Sequence, residues 1–130
     1  MILTPLLALA AIAPDPEVDC ANPRYQIEMN FCAQQDYERA DAALNVQWKQ
    51  TAAKMKEYDR APYRPDDKRP GYMATLLTAQ RAWLGYRDAH CESAGYVARG
   101  GSMEPMLVAG CMAELTEQRI AQLKALIEEN

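Results

Sequence analysis

Apolar side chains recur at spacings of three and four along three long segments, and that spacing predicts three helices. The first covers about 24–58, with Met29, Ala33, Tyr37, Ala40, Leu44, Trp48, Thr51, Met55 and Tyr58 on one face. Asn22-Pro23 before it supplies a capping side chain and a proline suited to a first turn. The second covers about 70–98, with Met73, Leu76, Leu77, Gln80, Trp83, Leu84, Arg87, Cys91 and Ala94 turned inward. Arg99-Gly100-Gly101 is a stop signal. Ser102 is then expected to cap a third helix that carries Pro105 in its first turn and ends near residue 128. Its apolar face reads Leu107, Cys111, Leu115, Ile120, Leu123 and Ile127. Between the first two helices, residues 59–71 (DRAPYRPDDKRPG) hold three prolines and break the pattern. No segment alternates with the period of a strand. The expected fold is all-α, a small antiparallel bundle of about three main helices.

A leader precedes this domain. Residues 1–13 read MILTPLLALAAIA, an uncharged apolar run ending in small residues, as a secretory signal does. Cleavage is expected after Ala10 or Ala13, leaving 14–130 as one helical domain with a proline-rich connector at 59–71. The run falls short of the roughly 20 residues that span a bilayer. Glu17-Val18-Asp19 before Cys20 is no lipobox, so no membrane anchor is expected after cleavage. The predicted location is periplasmic or secreted.

Four cysteines fit such an oxidising compartment. Antiparallel helices that reverse near residue 101 bring Cys91 level with Cys111, both on inward stripes. Cys20 and Cys32 close a short loop that pins the N-terminal arm to the first helix. Of the three pairings that four cysteines allow, Cys20–Cys32 with Cys91–Cys111 alone joins local partners. Spacing disfavours metal or redox use: there is no Cys-x-x-Cys, and His90 is the single histidine.

The reversal between the first two helices, near residue 64, puts Asp41 level with Arg87, Asn45 with Trp83 and Trp48 with Gln80. The later reversal puts Arg119 level with Trp83 and Leu115 with Arg87. An arginine on an inward stripe needs partners, because an unpaired buried charge is costly. Arg87 is therefore expected to bond Asp41, or failing that Glu38, and Arg119 to stack on Trp83. Asp41, Gln80, Trp83, Arg87 and Arg119 form either a network that fixes helix register or a polar binding cleft.

The chain carries 14 Lys and Arg against 18 Asp and Glu, for a net charge of -4. With no basic stripe, nucleic acid is not an expected partner. No cofactor motif is present, and catalysis lacks an activated nucleophile. Ser102 sits in no nucleophile elbow. His90 and Cys91 are adjacent on a helix and point about 100° apart. Tyr25, Tyr58, Tyr63, Tyr72 and Tyr86 lie near helix ends or off the main stripes, where aromatics suit an interface.

Several blocks of this sequence resemble one family. Glu28-Met29-Asn30 with Cys32-Ala33, Ala40-Asp41 with Leu44-Asn45, and Gln80-Arg81-Ala82-Trp83 with Arg87-Asp88-Ala89 and Cys91 are the main ones. Gly101-Ser102, Cys111, Leu115-Thr116, Arg119 and Leu123 close the series. Together they resemble the LprI-like lysozyme-inhibitor N-terminal domain family, small exported bacterial helical domains, over about 20–126. The resemblance implies a non-catalytic protein that binds and blocks a lysozyme. The alternative is a structural or protein-interaction module of the periplasm, binding another envelope protein. The matching residues are mostly cysteines and stripe positions and mark no inhibitory loop. Two loops are candidates for binding: the connector, with Arg60, Tyr63, Arg64 and Arg69, and the 99–105 turn, with Arg99 and Ser102.

Overall fold

The computed structural model describes residues 17–60, 62 and 64–128. The leader and Tyr63 lie outside them. Three helices account for most of the described chain: α1 (Gln26–Tyr58), α2 (Tyr72–Gly95) and α3 (Glu104–Ala125). A single 3-10 turn, Tyr96–Ala98, extends α2 before the reversal. Gly100 sits at φ +77°, a left-handed conformation that suits the stop signal there.

The chain runs up, down and up, so α2 is antiparallel to both of its neighbours and α1 and α3 are parallel. The α1–α3 interface is the most extensive of the three, and the α1–α2 interface is the thinnest. Two hydrogen bonds fix the parallel register. The Asn30 amide donates to the Ser102 carbonyl at 2.9 Å, and the Thr51 hydroxyl donates to the Leu123 carbonyl at 3.0 Å. Both span 72 positions, so the two helices stay level along their shared length.

The starts of all three helices differ from the sequence expectation, and α3 ends at Ala125 rather than near residue 128. α1 begins after Tyr25, not at Arg24, because the Glu28 carboxylate accepts the N–H groups of Arg24 and Tyr25 at 2.6 and 3.3 Å. Asn22-Pro23 stands outside the helix. α3 begins after Met103 with no side-chain cap, so Ser102 does not cap it. What Ser102 contributes is the carbonyl that receives Asn30. α2 takes its cap from elsewhere: the carboxylate of Asp59, the residue after α1, accepts the N–H groups of Tyr72 and Met73 at 2.7 and 3.0 Å. Gly71 permits this approach, because a Cβ there would lie 2.5 Å from Asp59 Oδ1.

The core has two unlike halves. Toward the connector, Leu44, Met55, Leu76 and Leu123 are buried, with Trp48, Met73, Trp83 and Ile120 packed on them. Toward the 99–103 turn the buried positions are small: Ala40, Ala109, Ala113 and Gly95. Gly95 is tight, since a Cβ there would meet Val108 Cγ2 at 2.5 Å. Both disulfides, Cys20–Cys32 and Cys91–Cys111, lie in this second half. The stripe of α3 is also shifted from expectation. Ala109, Ala113 and Thr116 are buried, while Leu107, Cys111 and Leu115 are only half-buried. On α2, Leu84 and Ala94 are exposed rather than inward.

The two disulfides should contribute unequally. Cys91 is fully buried between α2 and α3, whereas Cys20 holds an exposed arm. Replacing Cys91 and Cys111 together by alanine should destabilise by about 3 kcal/mol, the chain-entropy value for a loop of this size. The Cys20/Cys32 double variant should lose less, as read by urea denaturation of the two proteins.

The Asp59 cap makes a pH prediction. The Met73 N–H holds its carboxyl below the ordinary carboxylate range, helped by the Tyr72 N–H and the charge of Arg64, against an opposing desolvation effect. A carboxylate with a depressed folded pKa stabilises above its unfolded value, and that stabilisation fades as pH falls through the folded value. Asp59→Ala should therefore lower the melting temperature at neutral pH, and the gap to wild type should narrow on acidification below about pH 4.

Candidate functional site

Arg87 is 5 % exposed and lies where the three helices meet. Its Nε donates to Asp88 at 3.0 Å, and its Nη1 donates to the Thr116 hydroxyl on α3 at 3.3 Å. Asp41 of α1 stands 3.8 Å from Nη1, an ion pair beyond hydrogen-bond length. The guanidinium also lies over the rings of Trp83, at 5.1 Å, and Tyr37, at 5.4 Å. Asp41 is thus level with Arg87, but the direct bonds go to Asp88 and Thr116. Thr116, not Leu115, faces Arg87 from α3. Glu38 plays no part and accepts from Gln34 instead, at 3.3 Å. Tyr37 is pushed up by desolvation, with Arg87 acting against the shift and Asp41 and Asp88 adding to it.

One helical step toward the connector lies a second arginine. Arg119 Nε donates to Gln80 Oε1 at 2.9 Å, and its Nη1 donates to Gln122 Oε1 at 3.1 Å. Its guanidinium lies 5.9 Å from the Trp83 ring. Nη2 is shielded from solvent and has no acceptor among the described residues. Burial pulls Arg119 below the usual arginine value. Asp41, Gln80, Trp83, Arg87 and Arg119 therefore form a connected chain of contacts across the bundle.

The two loops singled out from sequence fall at opposite ends of the molecule. At the connector end an open groove of about 880 Å³ runs between the helix termini and the connector. Met55, Leu76 and Leu126 supply apolar surface, and the rings of Tyr58 and Tyr72 meet there at 5.4 Å. Arg64, Arg69 and Arg119 line it, with Asp67 as the one carboxylate among the described residues. Asp67 is already engaged by Arg69, through Nε at 2.6 Å and the backbone N–H at 3.1 Å. Arg60 is exposed and does not line the groove. The groove was not legible in the sequence, because it joins the connector to the far end of α3.

At the turn end, Arg99 stacks on Tyr96 with its guanidinium 4.3 Å from the ring centre. The Tyr96 hydroxyl donates to Glu92 at 2.9 Å, and that bond holds its pKa up. Large apolar side chains stand exposed around this end: Tyr25, Ile27, Phe31, Val97 and Met103, with Val97 at 85 %. His90 is stacked on Tyr86, with ring centres 5.3 Å apart, and its neighbour Cys91 is in a disulfide. Tyr86 is itself exposed.

The molecule is a small all-α domain closed by one arm-to-helix and one helix-to-helix disulfide, with an arginine at its three-helix junction. The chain belongs to the family described as lysozyme inhibitor LprI, whose model matches residues 20–123. It is also 51 % identical over 118 residues to the uncharacterized protein R02472 of Rhizobium meliloti (strain 1021), covering 91 % of this chain and 85 % of that protein. No solved structure matches. Among the described residues, no helix is long and apolar enough to cross a membrane.

The Arg87 junction can be tested directly. Arg87→Met removes the charge and leaves the buried Thr116 hydroxyl without its donor, while Asp41 and Asp88 remain open to water. The expected loss is about 1–3 kcal/mol, the usual cost of stranding a buried polar group. Unfolding should stay cooperative in denaturant. Thr116→Val alone should cost as much or more, because it leaves the charge in place with one partner fewer.

Proposed function

We propose that this protein is an exported, non-catalytic inhibitor that binds and blocks a lysozyme in the periplasm or outside the cell. Membership of the LprI family carries this reading. The two disulfides and the apolar leader fit an oxidising, exported setting.

The turn end is the surface best suited to the task. It presents aromatic residues, a methionine and an arginine, the residue types enriched in protein interfaces. Its backbone is braced by both disulfides, so little ordering entropy is lost on binding. Arg99, laid flat on Tyr96, offers a fixed cation to a cleft that holds a carboxylic acid and a carboxylate, as a lysozyme cleft does. The net charge of -4 favours approach to a cationic enzyme.

Lysozyme activity measured against a dose series of the oxidised protein, at two ionic strengths, tests this. Saturable inhibition is expected, weaker at high salt and lost on reduction of the disulfides. Val97→Asp and Arg99→Glu should each raise the inhibitory concentration at least tenfold without changing the melting temperature. Absence of inhibition with several lysozyme types by a folded sample would favour a periplasmic interaction module instead. The exposed Tyr25 and Tyr86 would then be the first residues to vary.

A further inference from the structure

The connector-end groove lies at the opposite end of the bundle from the surface assigned to lysozyme, and its chemistry differs. Its lining carries three arginines and one aspartate, a local excess of positive charge on a protein of net charge -4. The surplus is not absorbed internally. Asp67 is paired with Arg69. Among the described residues Arg119 bonds the neutral amides of Gln80 and Gln122, and its Nη2 is shielded from solvent, so its charge is left uncompensated there. No carboxylate among the described residues lies within ion-pair distance of Arg64 or Arg119. The Asp59 carboxylate near Arg64 is already taken by two backbone N–H groups.

The rest of the lining is apolar or aromatic, from Met55, Tyr58, Tyr72, Leu76 and Leu126. A groove of about 880 Å³ falls within the range of small-molecule sites, roughly 300–1,000 Å³. Apolar walls with a few convergent cations select a ligand with an apolar body and one anionic head. A planar carboxylate matches the arginine fork, with two parallel N–H donors to its two oxygens. We propose that this groove binds a free medium-chain carboxylate, its head on the exposed Arg64 within the field of Arg119 and its chain along Leu76, Leu126 and the Tyr58–Tyr72 pair.

Calorimetric titration of the oxidised protein with sodium decanoate tests the assignment. Decan-1-ol and inorganic phosphate serve as the chain without the head and an anion without the chain. Saturable one-to-one binding of decanoate is expected, with decanol and phosphate each at least tenfold weaker. Arg64→Glu should weaken decanoate about tenfold or more, the usual effect of losing a charge-assisted bond, and Arg119→Gln should weaken it less, through loss of its charge alone. Ala79→Phe, at an exposed position lining the groove, should block the chain. Arg64→Glu and Ala79→Phe both alter exposed residues, so they decide the matter even if Arg119→Gln fails to fold. Non-saturable decanoate binding, equal binding of decanol, or wild-type affinity in both surface variants would overturn the proposal. Lysozyme inhibition is read separately and does not bear on it.

Discussion

A single buried guanidinium touches all three helices of this bundle. Arg87 is rooted on α2, bonds Thr116 on α3 and faces Asp41 on α1. α1 and α2 share little other surface, so this contact and the Asp59 cap are their chief links. A buried charge stabilises little by itself, because desolvation offsets the attraction. Its effect is selective. A rotation or slip of any helix would cost the guanidinium its partners, and an unpartnered buried charge is expensive.

Arg87 also marks the boundary between the two kinds of core. On the connector side, leucines, methionines and tryptophans bury enough apolar area to hold helices together. On the turn side the buried residues besides the cysteines are alanines and a glycine, which allow close approach but remove little apolar surface from water. Cross-links stand there in place of bulk. A chain of this size gains from such staples, and both lie in the half whose buried positions are small.

Much of this was legible in the sequence. The three- and four-residue spacing located all three helices, and the reversal points brought Cys91 level with Cys111 and Asp41 level with Arg87. The true face of α3 was harder to read, because Ala109, Ala113 and Thr116 carry weak hydropathy signals beside the louder Leu107 and Leu115. The start of α2 was hidden for another reason. Its cap comes from Asp59, 13 residues away from Tyr72, and local capping rules look only at neighbours. The connector groove needed the folded connector and the end of α3 together, so no pattern within one segment could announce it.

The Asp59 clamp has a consequence for how this protein can change. It ties the end of α1 to the start of α2 by two hydrogen bonds, so the geometry of the bundle does not depend on the stretch between them. Lengthening a loop whose ends are already fixed costs little entropy, about 0.6 kcal/mol per doubling. The connector is thus a place where foreign sequence can be accepted while the helices keep their register.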